Sequence, residues 1–200
     1  KVAEVIVRGV LRAEDGASAV AAIVATDIDA ARLDATVASL QQRFGKDTAT
    51  GVVMDVTSED AVQGAFADAV RAFGGIDILV SNAGIASAAK VQDTTLALWN
   101  RNIEILATGY FLAAREAFRL MLAQGRGGAI IFIGSKNALA ASGGASAYCT
   151  AKAAEVHLAR CLALEGAPEG IRVNTVNPDA VLEGSTIWQG EWRSQRAASY

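Results

Sequence analysis

Residues 58–84 read SEDAVQGAFADAVRAFGGIDILVSNAG. The first eighteen predict an amphipathic helix, with Ser58 as its N-cap and Gly74-Gly75 as its stop. The last nine predict a short apolar strand, residues 76–84, that runs into a turn of small residues. A helix that feeds a buried strand is half of a βα unit, and the rest of the chain repeats it. Upstream, AAIVATD (21–27) reads as a strand, ARLDATVASLQQRFG (31–45) as a helix ended by Gly45, and TGVVMDV (50–56) as a strand. Downstream, a long helix is expected from about Thr94 to Gln124, a strand over GAIIFIGS (128–135), a helix over 146–166 and a strand over IRVNTVNP (171–178).

Continuous Val/Ile-rich strands alternating with helices predict one doubly wound, Rossmann-like α/β domain over residues 1–200. Its sheet is expected to be parallel, with helices on both faces. In such sheets ligands sit at the carboxyl ends of the strands. That rule singles out Asp27, Asp55, Asn82–Gly84, Ser135 and Pro178.

Composition narrows the function. Over 200 residues, 52% are hydrophobic and the formal net charge is −3. This argues against a nucleic-acid or anionic-membrane surface. No apolar run reaches the roughly 18 residues of a membrane span. Cys149 and Cys161 are expected on one helix, about 18 Å apart along its axis, too far for one disulfide. They read as reduced, buried cysteines of a cytoplasmic protein. His157 is the only histidine, so no metal site and no Ser-His-Asp chemistry is expected.

Tyr148 and Lys152 are four apart on a predicted helix and share one face. An ammonium beside a phenol is expected to lower the phenol's pKa and make it a usable proton carrier for an alcohol/carbonyl pair. The Ser135 hydroxyl, at the end of the preceding strand, can bond the same oxygen. A lone Y-x-x-x-K arises easily as a surface pair. Here SNAG (81–84), Ser135, Tyr148, Lys152 and GIRVNTVNP (170–178) fall in order. This combination resembles the short-chain dehydrogenase/reductase family over nearly all of residues 27–178. The resemblance implies that Tyr148 is the general acid/base, that Lys152 tunes it and holds the nicotinamide ribose, and that Ser135 positions the substrate oxygen. It also implies that Asn82, Ala83 and Gly84 line a dinucleotide, that Asp55 and Val56 flank its adenine, and that Pro178 belongs to the cofactor site. Asp27 at the end of the second strand accepts from a ribose 2′-OH and repels a 2′-phosphate. Ile28 follows it rather than a basic residue, so NAD is expected over NADP. The plainer alternative is that Asp27 only caps the next helix.

Longer stretches, LWNRNIEILATGYFLAAREAFRLM (98–121) and IGSKNALAASGGASAYCTAKAAE (133–155) among them, resemble the dehydrogenase half of bifunctional rhamnulose-1-phosphate aldolase/short-chain dehydrogenases. That resemblance implies a small lactaldehyde-like substrate, a place in rhamnose catabolism, a fused aldolase domain upstream and a chain that is a fragment of a longer one. A homo-oligomer is implied too, paired through the long helix and the helix from Ser146, with Ala113, Ala114, Ala151, Ala153 and Ala154 allowing close approach. Two other readings stay open: a 3-oxoacyl or sugar reductase of the same fold, or a non-catalytic remnant.

Several positions depart from the family pattern. Leu106 stands where many members have an Asn that supports a relay water, and VNPD replaces V-N-P-G at Asp179. By the resemblance, a last helix and a seventh strand would follow Tyr200, and Trp188 and Trp192 would cover either a substrate or simply the core. The opening KVAEVIVRGVLRAEDGASAV (1–20) lacks the T-G-x-x-x-G-x-G segment expected after a first strand, having only the isolated Gly9 and Gly16. Glu4 would fall in a central strand, where an unpaired carboxylate costs on the order of several kcal/mol. Foreign sequence between matching flanks suggests a frame-changed segment, a diverged, cofactor-poor protein, or a rebuilt phosphate loop of another pattern. The site's two ends are written here; its pyrophosphate cradle is not.

Overall fold

The computed structural model describes residues 4–8 and 22–181. Expectations that fall on 9–21 and 182–200, the phosphate loop and Trp188/Trp192 among them, lie outside the described residues. Six strands form one sheet: β1 (Glu4–Arg8), β2 (Ala22–Asp27), β3 (Ala49–Val53), β4 (Ile78–Ser81), β5 (Gly128–Ile133) and β6 (Ile171–Val176). Their order is β3-β2-β1-β4-β5-β6, the doubly wound order with a crossover at the centre. Five helices connect them: α1 (Ala30–Phe44), α2 (Glu59–Phe73), α3 (Leu96–Ile103), α4 (Gly109–Gln124) and α5 (Ser146–Gly166).

Local chemistry explains the boundaries. Asp29, Ser58 and Thr95 cap α1, α2 and α3, each accepting from the backbone N–H three residues on. The long helix expected over 94–124 is α3 and α4 joined by one π-helical turn, Glu104–Thr108. The Gln124 side chain closes α4 onto the sheet: it accepts from Ile76 N at 2.8 Å and donates to Ile76 O at 2.6 Å. Two such bonds contribute about 0.5–1.5 kcal/mol each. The core beneath is apolar and close-packed, with Leu79, Ile130 and Phe132 of the sheet against Phe66 of α2 and Tyr110, Ala113 and Met121 of α4.

The sheet departs from the all-parallel expectation at its centre. β2–β3, β4–β5 and β5–β6 are parallel. β1 is antiparallel to both of its neighbours, with Glu4 opposite Thr26 and Ser81, and Arg8 opposite Ala22. A parallel crossover from β1 to β2 needs roughly a dozen or more residues arranged as turn and helix. The thirteen residues 9–21 meet that length but lack the closely spaced glycines of a tight strand-to-helix turn. The antiparallel pairing makes no such demand and still completes the ladder on both sides of β1.

Two further expectations are corrected. Cys149 is half-buried and Cys161 exposed, because both lie toward the outer side of α5. Of the five small residues expected to meet a partner subunit, Ala113, Ala114 and Ala151 are fully buried inside this chain. Only Ala153 and Ala154 are exposed. No described helix is long and apolar enough to cross a membrane.

Candidate active site

Ser135 follows β5 and Tyr148 lies in the first turn of α5, so strand end and helix start bring the two together. The Ser135 hydroxyl acts on the Tyr148 phenol, pulling its pKa down against the rise that burial causes. Ser135 is itself held from two sides. Its Oγ accepts from Asn137 N at 3.1 Å, and its N–H donates to Asn177 Oδ1 at 3.2 Å. That second bond dictates the preceding residue: a Cβ at Gly134 would lie 2.3 Å from Asn177 Oδ1. The G-S and V-N-P elements of the sequence are therefore two halves of one joint. Asn177 was not singled out in the sequence, although it stands beside Pro178.

The departure at Asp179 has a local explanation. Lys136 Nζ reaches the Asp179 carboxylate at 2.6–2.7 Å, and Lys136 N donates to Pro178 O at 3.0 Å. The Asp replaces the family's glycine with an ion pair that ties the turn after β5 to the end of β6. Both side chains are over a third exposed, so the pair contributes at most about 1 kcal/mol.

Lys152 sits one turn below Tyr148 and is buried. Its Nζ donates to Ile133 O at 2.9 Å and to Glu155 Oε2 at 2.7 Å, and it lies 5.0 Å from the centre of the Tyr110 ring. Tyr110 donates its hydroxyl to the same Ile133 carbonyl at 3.0 Å and stacks edge-on against Phe132. These contacts change the expected electrostatics. The Tyr148 phenol is pushed up, not down: burial is the largest cause, the Ser135 hydroxyl pulls the other way, and the Glu155 charge pushes up again. The carboxylate of Glu155 offsets the Lys152 ammonium that was expected to favour the phenolate. Glu155 was also not singled out, yet it lies three residues after Lys152 and seven after Tyr148, on the same helical face.

Asn82, Ala83 and Gly84 follow β4 as irregular chain, half-buried, buried and exposed in turn. A Cβ at Gly84 would meet Leu106 Cδ2 at 3.6 Å, so the leucine in the π turn packs close to this segment. Further along the loop, Ser87 Oγ donates to the buried Asn102 at 3.0 Å and thereby ties it to α3. Across the sheet, Asp27 is buried and its Oδ1 accepts from Asp29 N at 2.9 Å. Asp29, not Asp27, caps α1, so the helix-cap alternative for Asp27 is not what the structure shows. Ile28 is exposed. Asp55 Oδ1 accepts from Thr57 N and Oγ1 at 2.9 and 2.7 Å. Val56 is buried against Gly109, where a Cβ would come within 2.9 Å of Val56 Cγ2.

Asp27 and Asp55 thus mark one end of the sheet's carboxyl edge, and Asn82–Gly84, Ser135, Tyr148 and Pro178 the other. Between the two groups lies β1, whose antiparallel course puts its own carboxyl end, Arg8, beside Ala22 at the opposite edge. The residues present fit the two ends of a dinucleotide. Among the described residues nothing fits its pyrophosphate: β1 ends at the opposite edge, away from where the phosphates would lie. An open apolar cleft of about 390 Å³ is lined by Val91, Thr94, Leu96, Trp99 and Ser146; none of the catalytic candidates lines it. Among the described residues, no group of three or more His, Cys, Asp or Glu is placed to hold a metal ion.

The family model for short chain dehydrogenase matches residues 9–195, and the chain belongs to that family. It is 50% identical over 178 residues to the uncharacterized oxidoreductase YuxG of Bacillus subtilis (strain 168), covering 89% of this chain and 26% of that protein. It is 38% identical over 173 residues to the D-threitol dehydrogenase of Mycolicibacterium smegmatis (strain ATCC 700084 / mc(2)155), covering 85% of this chain and 65% of that one. This chain therefore spans less than two thirds of the length of either relative. Among solved structures, sorbitol-6-phosphate 2-dehydrogenase SrlD from Erwinia amylovora superposes with a TM-score of 0.77 at 31% identity, over 80% of this chain and 62% of that chain. A short chain dehydrogenase from Mycobacterium smegmatis does so at 0.74 and 32%, over 87% and 72%. The chain thus has the Rossmann-like α/β fold of this family, which generally uses NAD or NADP.

Proposed function

We propose that the site serves hydride exchange between a nicotinamide cofactor and a small hydroxyl or aldehyde substrate, with Tyr148 as the proton carrier. The observation that carries this is the placement of Ser135 just after β5 and Tyr148 in the first turn of α5, one turn above the buried Lys152. Ser135, fixed through Asn177, would hold the substrate oxygen. Tyr148 would take the hydroxyl proton during oxidation and return it during reduction. Lys152 would lie toward the nicotinamide ribose, with Asn82, Ala83, Gly84 and Pro178 along the same end and Asp55 and Val56 at the adenine. A bound nicotinamide supplies the hydride acceptor or donor. The buried Asp27 carboxylate beside the uncharged Ile28 favours NAD over NADP.

A lactaldehyde-like substrate and an upstream aldolase domain are part of the same proposal. They rest on the sequence resemblance, with the 26% coverage of the YuxG protein as the supporting fact for a longer parent. The D-threitol and sorbitol-6-phosphate relatives are consistent with a small polyol or aldehyde. A homo-oligomer through α4 and α5 would use their exposed apolar positions, Phe111, Leu122 and Leu164.

Replacing Tyr148 with Phe tests the reading. In a chain given a T-G-x-x-x-G-x-G segment after its first strand and saturated with NAD, turnover of a small 2-hydroxyaldehyde or diol should fall by about 10²–10⁴-fold, with cofactor affinity unchanged. Retention of more than about a tenth of the rate would remove Tyr148 from the role.

A further inference from the structure

Glu155 is fully buried, and the roles assigned so far make no use of it. Its carboxyl neither caps a helix nor staples a loop. Oε2 is held by Lys152 Nζ at 2.7 Å, and Oε1 is buried with no hydrogen-bond partner among the described residues. A buried carboxylate is costly unless it is paired and fully hydrogen-bonded, so this group is kept for its one partner. Tyr148, Lys152 and Glu155 recur at i, i+4 and i+7, which stacks them along one face of α5. The Leu106 side chain, where an amide is usual, leaves Glu155 as the polar group next to the lysine.

We propose that Glu155 is a positioning residue of the acid–base pair: it fixes the Lys152 ammonium and sets the electric field in which Tyr148 exchanges its proton. The field has two parts. The Glu155 charge repels the phenolate directly, and it neutralises the ammonium that would otherwise attract it. The electrostatics agree with the geometry. Burial pushes the Glu155 carboxyl up to about 7 against the opposing pull of Lys152, and Glu155 in turn pushes Tyr148 up. The other groups around the pair do not replace it. Tyr110 on α4 spends its hydroxyl on Ile133 O, Lys136 on the turn after β5 is tied to Asp179, and Glu104 on the π turn is exposed. Near neutral pH the carboxyl is only part-ionised, so the field on Tyr148 changes with pH in the range where the enzyme works.

The inference rests on Tyr148 being the proton carrier, and its test needs no cofactor. The Tyr148 phenol is titrated in the full chain, with carbon-13 at the tyrosine ring carbon bearing the oxygen, and the Tyr148→Phe variant assigns the signal. Glu155→Gln should lower the Tyr148 midpoint by about one pH unit or more, with the fold intact by circular dichroism. In the unaltered chain the Tyr148 signal should also inflect once near neutrality, as Glu155 ionises, before its own titration. An unchanged midpoint in Glu155→Gln overturns the inference. If that variant does not fold, Glu155→Ala is titrated in its place, and an unchanged Tyr148 midpoint there overturns the inference. Full turnover in Tyr148→Phe would instead sink the proposed function while leaving these titrations readable.

Discussion

The two halves of the carboxyl edge are built to different standards. Around β5, β6 and α5 the groups beside Tyr148 are held in place. Ser135 is gripped by Asn177 and Asn137, and Lys152 by Ile133 and Glu155. Around β1 and β2 the edge offers Asp27 and a capped α1, and the strand that should supply a phosphate turn runs the other way. A doubly wound sheet tolerates this because a strand's contribution to the ladder does not depend on its direction. Cofactor binding does depend on it, since only a strand that ends at the carboxyl edge can place a turn and a helix N-terminus against phosphates. The fold and the catalytic cluster are thus separable from the cradle, and the contrast can be attacked from either side.

The largest effect expected on the assembled half comes from Gly134→Ala. The added methyl would overlap Asn177 Oδ1 at 2.3 Å, forcing the asparagine off Ser135 N. Overpacking of this kind costs about 1–3 kcal/mol, and misplacing Ser135 should lower turnover well beyond what the lost stability explains. Denaturant unfolding together with kcat/KM measures both. A variant as stable and active as the parent would show that the joint between β5 and β6 does not organise the site.

A smaller effect is expected on the other half from Asp27→Ala. Removing the carboxylate should relax the preference for NAD over NADP, read as the ratio of kcat/KM for the two cofactors. An unchanged ratio would take Asp27 out of the ribose site and leave the β2 end with no assigned role.

The same contrast governs what the sequence could tell. The helices were legible because caps and stops are local: Ser58, Gly74 and the limits of α5 are set by residues within a turn. Ser135, Tyr148 and Lys152 were legible because motif spacing survives without tertiary information. The direction of β1 was not, since a period-2 apolar run such as VIV reads the same both ways and its course is set by what residues 9–21 can connect. The Asn177–Gly134 joint was hidden because its partners are 43 positions apart in numbering. The sign of the Tyr148 shift was misjudged for a related reason. A lysine one turn away was visible, but burial and the neutralising Glu155 belong to the packed structure. Glu155 itself could have been found, as the third member of an i, i+4, i+7 face.

The central claim is that the reacting half of the site is assembled while β1 carries no phosphate turn to the carboxyl edge, and calorimetric titration of NAD tests it most directly. Two chains are compared: the chain as it stands, and one in which residues 4–12 are replaced by a T-G-x-x-x-G-x-G segment with the following helix length corrected. Loss of several charge-assisted hydrogen bonds at about 1.5–3 kcal/mol each is enough to move a micromolar site to millimolar or weaker. The account predicts millimolar or undetectable binding in the first chain and micromolar binding in the second. Micromolar NAD affinity in the unaltered chain would contradict it, and would mean that phosphates are held by residues other than a turn after β1.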